Sequence, residues 1–389
     1  MGYEIENAAP ATQRTLHKEY AHQFPVVKTL TYLNHAAVAP LCRPAAEAMQ
    51  WLATDAMENG SLHYSQWEQC YEGFRSSTAR LIGAHRDEIA IVKNTSEGIA
   101  TIALGLDWKA GDRIVAFREE FPANYFPWLR LEARGCTITW LSVTDPLDRI
   151  EEAARGAKLL AISYVQYLSG YRADLRAIGD ICRRNQCFFF VDAIQGLGVL
   201  PLDVDEFQID ALAADGHKWL LGPEGCGLLY IRKDWQDRIE PVEFGWTNIA
   251  GYTDYSCRDM ALRPDAGRYE CGTLNTIGIY GLRAAIDFLL EVGVERVGQD
   301  VLAAASRLAV GAAEKGYELL MDELPEAQRA PRHRSGIVSI RKPGVDCRVT
   351  VSELKRRQIT AAPRQGWARL SPHFYISPEA IENVMDALP

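Results

Sequence analysis

A lysine held between two apolar runs is the residue of this chain best suited to covalent chemistry. Lys218 stands in Asp215-Gly216-His217-Lys218, and Leu221-Gly222-Pro223-Glu224-Gly225-Cys226-Gly227 follows. Ile209 to Ala214 before the turn and Leu228-Leu229-Tyr230-Ile231 after it read as buried strands, so Lys218 belongs to the loop joining them. Burial removes hydration from an ammonium group and makes the neutral, nucleophilic amine easier to reach. Such lysines form Schiff bases with carbonyl compounds. An ordinary surface lysine in a turn would carry the same Gly-His-Lys, so the rest of the chain must separate the two readings.

Two further segments have the right chemistry. Asp192 closes the apolar run Phe188-Phe189-Phe190-Val191, and ligands of parallel sheets collect at the carboxyl ends of strands. A carboxylate there can cap the next turn, or it can pair with a cationic ring nitrogen. Lys93-Asn94-Thr95-Ser96-Glu97-Gly98 opens a helix after a strand-like run from Glu88 to Val92. Asn94 can cap it and Glu97 can reach back, as in a capping box. Free N–H groups and the hydroxyls of Thr95 and Ser96 can then hold a phosphate, although capping alone would also account for them.

The elements that must position these groups alternate. Helical spacing runs from Glu47 to Leu81, broken at Asn59-Gly60. Strand-like runs cover 113–117, 137–142, 158–165, 187–191 and 209–214, with helices at 125–133 and 174–184. Strands separated by helices predict an α/β domain with a mostly parallel sheet. After about residue 285 amphipathic helices (284–292, 301–315) precede short strands near 336–340 and 367–370. That texture predicts a smaller α+β domain. The expected division is a large domain over 25–285, with 1–24, a polar helical arm, and 286–389 forming the small one.

Composition narrows the class. The chain has 389 residues, 48% hydrophobic and 24% charged, with a formal net charge of -9 and no basic cluster. Nucleic acid and an anionic membrane surface are therefore poor partners. Nine scattered cysteines, without CxxC or zinc-ligand spacing, read as reduced thiols of a cytoplasmic protein and predict no metal. The first residues lack a signal-peptide pattern, and no apolar run has the length of a membrane span.

Three more motifs complete a pattern: Glu120-Phe121-Pro122-Ala123-Asn124, Tyr269-Glu270-Cys271-Gly272-Thr273-Leu274-Asn275-Thr276, and Arg369-Leu370-Ser371-Pro372-His373-Phe374-Tyr375. From Tyr32 to Tyr375 the chain resembles the class V aminotransferases. These are fold-type-I pyridoxal phosphate (PLP) enzymes that include cysteine desulfurases, kynureninase and isopenicillin N epimerase-like proteins. The resemblance implies a large α/β PLP-binding domain and a small α+β domain. Lys218 would carry the cofactor as a Schiff base, Asp192 would pair with its pyridinium nitrogen, and Gln195 would bond its phenolic oxygen. Phe121 would stack on the ring, where desulfurases have a histidine. Thr95, Ser96 and His217 would hold the phosphate, and Thr276 would reach the phosphate of the partner subunit in a homodimer. Arg369 would bind the carboxylate of an amino-acid substrate, a match of guanidinium geometry to two oxygens.

Departures from the family pattern bear on the reaction. Asp215 replaces a phosphate-donating serine and is expected to point elsewhere, because it would repel the phosphate. Tyr167 stands where desulfurases tend to have asparagine, and Arg364 either assists Arg369 or is solvated. Val351 to Pro363 lacks the cysteine that a persulfide-forming desulfurase needs. The expected activity is an aminotransferase-like PLP enzyme, with an epimerase or a C–S lyase without a protein persulfide as the alternative. A non-catalytic PLP-binding protein ranks last. The substrate pocket is expected from the Asn34-His35 loop, the Phe244-Gly245-Trp246 region and the small domain, with His35 and His373 as structural histidines.

Overall fold

The computed structural model describes residues 16–389, so most of the expected N-terminal arm lies outside the described residues. A short helix α1 (Leu16–Tyr20) leads to β1 (Thr31–Tyr32), α2 (Arg43–Asn59) and α3 (Tyr64–Ile82). Then come β2 (Ile89–Val92), α4 (Thr95–Gly105), β3 (Arg113–Phe117), α5 (Phe126–Leu129), β4 (Thr137–Leu141), α6 (Leu147–Ala154) and β5 (Leu159–Ser163). The run α7 (Leu175–Arg184), β6 (Phe188–Asp192), β7 (Ala211–Asp215) and β8 (Gly227–Ile231) completes the main sheet. Two long helices follow, α8 (Thr276–Val292) and α9 (Val294–Glu314). The chain ends with β9 (Glu318–Leu319), β10 (Val338–Arg341), α10 (Cys347–Arg356), β11 (Ile359–Thr360), β12 (Ala362–Arg364), β13 (Trp367–Leu370) and α11 (Pro378–Ala387).

The seven-stranded sheet has the order β2-β8-β7-β6-β5-β3-β4. Its strands pair in parallel from β7 to β4, while β8 runs antiparallel to both β7 and β2. Strands β5 to β8 are buried along their whole length, which explains why they read as continuous apolar runs. Their side chains still alternate between two cores. Phe189, Val191, Leu212 and Leu228 enter the larger one, Phe188, Phe190, Ala211 and Leu229 the other. Each of the three phenylalanines is at most 1% exposed, and burying such a ring is worth about 1.5–3 kcal/mol.

Helix α4 lies close on β7. A Cβ added to Gly98 would come 2.7 Å from the Ala213 Cβ. That near approach brings the start of α4 to the edge of the loop that follows β7. The capping differs in detail from expectation. Asn94 Oδ1 accepts the Glu97 N–H at 2.9 Å, but the Glu97 carboxylate takes the N–H of Lys93, one residue before the cap.

The C-terminal region forms a four-stranded antiparallel sheet, β12-β13-β10-β9. Strand β1 pairs in parallel with β11, so the chain near residue 31 is tied to the chain near residue 359. Both long helices begin earlier than the hydrophobic spacing suggests, α8 at Thr276 and α9 at Val294, and α11 was not foreseen.

Candidate active site

The loop after β7 is closed on itself. The Gly222 N–H donates to the Gly216 carbonyl at 2.9 Å and the Leu221 N–H to the Lys218 carbonyl at 3.1 Å. Leu221 adopts a left-handed φ of 59° while fully buried, a conformation costing on the order of 1 kcal/mol that surrounding packing must hold. Next to Lys218, the Trp219 indole is wholly buried and donates to Gln195 Oε1 at 2.9 Å. The result is a half-buried Lys218 whose amine faces a cavity of about 380 Å³. Burial lowers its ammonium to about 8; Arg369 and Arg364 add to this, and Asp192 and Asp215 oppose it.

Asp192 lies in the same cavity wall. Its Oδ1 accepts the Ile194 N–H at 3.1 Å, so it caps its turn and faces the cavity at once. Burial raises the carboxyl to about 6, against the pull of that N–H and of Lys218. Gln195 Nε2 donates to the Ala36 carbonyl at 2.9 Å. With its oxygen held by Trp219, the amide is fixed in orientation and keeps a second N–H for a ligand in the cavity it lines.

Thr95 and Ser96 are the first two residues of α4 and line the cavity with His217. Asp215 does not turn away, as expected from charge alone; it stays in the wall with Oδ1 3.1 Å from His217 Nδ1. The two are within ion-pair distance but not aligned as a hydrogen bond, and neither atom has another partner. Thr95 Oγ1 and Arg369 Nε are also buried without partners. Each such group costs about 1–3 kcal/mol when left unpaired. The donors among them, Thr95 Oγ1 and Arg369 Nε, belong to residues lining one cavity and fit a ligand that brings a phosphate and a carboxylate.

The opposite side is aromatic and cationic. The Phe121 ring centre is 5.7 Å from Lys218 Nζ and meets Tyr167 edge to face at 5.3 Å. Arg369, on β13, is 2% exposed and donates from Nη1 to the Tyr167 carbonyl at 2.6 Å. No carboxylate among the described residues pairs with it. Burial and Arg364 pull its guanidinium down to about 10, which leaves it charged at neutral pH. Arg364 is exposed and also lines the cavity.

Lys218, Asp192, Thr95, Ser96, Phe121, Gln195, His217 and Arg369 therefore share one cavity, and Thr276 does not. Thr276 opens α8, where its hydroxyl shares a 2.6 Å hydrogen bond with Tyr71. The expected loop does line the cavity, through Ala36, Ala37 and Val38 just after Asn34 and His35, and the small domain supplies Arg364 and Arg369; the exposed Phe244 and Trp246 are not among this chain's lining residues. His35 is fully buried, bonded to the Ser371 carbonyl and the Tyr375 hydroxyl, and burial takes it down to about 4. It is a neutral structural histidine. His373 is equally buried, with Nε2 3.3 Å from the Trp219 carbonyl. Sequence reasoning missed Ser163 on the cavity wall and the buried Glu120 behind it. None of the nine cysteines lines the cavity, and all are unpaired. No cluster among the described residues has the makings of a metal site.

The family model for class-V aminotransferases matches residues 31–371. The chain belongs to that family. Among curated class-V relatives, it is 30% identical to an uncharacterized aminotransferase of Bacillus subtilis, YcbU, over 96% of this chain and 97% of the relative. It is 31% identical to a probable cysteine desulfurase of Pyrococcus abyssi over 94% of each chain. Among solved class-V structures, the apo cysteine desulfurase of Thermococcus onnurineus superposes with a TM-score of 0.86 at 27% identity, covering 95% of this chain and 96% of that one. The cystine C–S lyase C-DES, in complex with its product cysteine persulfide, gives 0.85 at 25% identity over 94% and 98%. A lysine-to-alanine mutant of C-DES carries glycine covalently linked to its PLP cofactor. This class-V chain is thus a PLP-dependent enzyme of fold type I.

Proposed function

We propose that this enzyme takes the α-proton from an amino acid held by its carboxylate and expels sulfur from the substrate's side chain, without passing that sulfur to a protein cysteine. The observation that carries the reading is the convergence of Lys218, Asp192 and Arg369 on one cavity that no cysteine lines. Bound PLP supplies a carbonyl for the substrate amine and an electron sink for the Cα carbanion. Arg369, with no acid partner among the described residues, binds the substrate carboxylate. Lys218, at about 8 in the ligand-free site, is close enough to neutral pH to take the proton from Cα and pass it to the departing sulfur. Asp192, held dry by its surroundings, keeps a ring nitrogen protonated. Gln195 offers its spare N–H to the phenolic oxygen, and Thr95, Ser96 and His217 hold the phosphate. Phe121 stacks but cannot move a proton, which leaves Lys218 as the base.

The relatives named as cysteine desulfurases and a cystine C–S lyase support sulfur chemistry, while YcbU is named an aminotransferase. A persulfide on the protein has no support in this chain. The cysteine nearest the substrate arginine in sequence, Cys347, is buried at the start of α10 with its thiol pushed up by burial. For cysteine the balanced reaction is cysteine plus water giving pyruvate, ammonia and hydrogen sulfide; cystine plus water would give pyruvate, ammonia and cysteine persulfide. The PLP-loaded enzyme is incubated with cysteine or cystine, and pyruvate, sulfide and persulfide are assayed. Alanine with a protein-bound persulfide would overturn the reading, and pyridoxamine phosphate left on the enzyme would replace it with transamination.

The proposal extends to a cytoplasmic homodimer in which Thr276 serves the partner's phosphate, and to the division into a large unit over 25–285 and a small one. Support comes from the unpaired cysteines, from the place of Thr276 outside its own chain's cavity, and from the separate C-terminal sheet. No described helix is long and apolar enough to cross a membrane.

A further inference from the structure

Glu120 is a buried acid with no cation among the described residues beside it. Its Oε1 accepts the Ser163 N–H at 2.7 Å and Gln166 Nε2 at 3.0 Å, and its Oε2 takes the Ser163 hydroxyl. These partners belong to parts of the cavity that the reaction uses. Ser163 ends β5 directly opposite Asp192 on β6. Gln166 precedes Tyr167, whose carbonyl holds Arg369. Glu120 itself precedes Phe121. A carboxyl without a counter-ion is expensive to bury, and burial raises this one to about 7 despite the Ser163 hydrogen bonds. An apolar side chain would fill the same space at lower cost, but it could not join these segments.

We propose that Glu120 is a positioning residue: by tying the Phe121 loop to the Ser163–Tyr167 segment, it sets the pitch of the Phe121 ring over the cofactor and the placement of Arg369. The inference rests on the roles given above to Phe121 and Arg369. The distances between the tied residues, 43 and 46 positions along the chain, mean that no local structure holds them together.

The test compares wild-type, E120Q and E120D holoenzymes. The glutamine amide oxygen can keep both N–H donors while its NH₂ donates to the Ser163 hydroxyl. The aspartate is one methylene too short to reach. Three readouts are taken: the visible circular dichroism of bound PLP, which reports ring orientation; the PLP dissociation constant; and kcat and KM on the sulfur amino acid turned over. E120D is expected to change the dichroic band, to lower kcat through the displaced Phe121 ring and to raise KM through the displaced Arg369, together losing on the order of 10–100-fold in kcat/KM, as for groups misplaced by up to an ångström. E120Q is expected to stay close to wild type in all three. A wild-type dichroic band and kcat in E120D, with only a lower melting temperature, would overturn the proposal. So would an E120Q loss as large as that of E120D. The dichroism and the dissociation constant need no turnover, so they decide the role of Glu120 even if the proposed C–S cleavage fails.

Discussion

Arg369 donates a 2.6 Å hydrogen bond to the main-chain carbonyl of Tyr167, 202 residues away in sequence. The bond joins the C-terminal sheet to the segment after β5 and fixes the guanidinium inside the cavity. Lysine has one compact charge and no planar fork, so it cannot both hold that carbonyl and grip a carboxylate. Arg369→Lys should lose about 1.5–3 kcal/mol of substrate binding, or roughly 10–100-fold in kcat/KM. Steady-state kinetics should show the loss mainly in KM. An unchanged KM would remove Arg369 from the carboxylate role.

Lys218→Ala should abolish the visible band of the covalently held cofactor and lower turnover by on the order of 10²–10⁴-fold, the usual contribution of a positioned base. Asp192→Asn should keep the band, since the lysine is intact, yet weaken PLP binding and slow turnover. Absorption spectra and PLP titrations of the two variants separate these effects.

Stability of the cofactor-free protein should depend on pH through Lys218. Its folded value of about 8 lies below the ordinary 10.5, so between those values the unfolded chain binds the proton more tightly. The buried ammonium thus destabilises the fold below pH 8, and stability is regained as pH rises from 8 to 10.5. Lys218→Met should be more stable than wild type at pH 7, by about 1–3 kcal/mol. The gap should close across that window in urea unfolding, whereas a constant gap would show that the lysine is not desolvated.

Gly98 does not line the cavity, yet it sets where α4 begins. A Cβ there would meet the Ala213 Cβ at 2.7 Å, and overpacking of that kind costs about 1–3 kcal/mol. Gly98→Val should push α4 away from β7 and weaken binding of PLP more than that of pyridoxal, which lacks the phosphate. Equal weakening of both would mean that the displacement misses the phosphate end.

Several features of this protein were legible without coordinates. Strands buried on both faces read as unbroken apolar runs, which placed Lys218 on a loop between two strands and Asp192 at a strand end. The start of α8 was not legible. Its first turns contain Gly278 and Gly281, poor helix formers, and they are helical because close packing rewards small residues there. A Cβ on Gly281 would lie 2.7 Å from Met49 Sδ.

What the sequence determined by itself, then, was the chemistry of the groups and the elements carrying them, because side-chain type and hydrophobic period act locally. Only the tertiary structure decided which walls face the cavity. It put Ala36 to Val38 there and left Phe244 and Trp246 out of this chain's wall, turned Asp215 onto His217, and set Glu120 behind Ser163. Those relations depend on contacts between residues far apart in the chain, or on how a buried charge finds a partner. Neither leaves a periodic signal in the sequence.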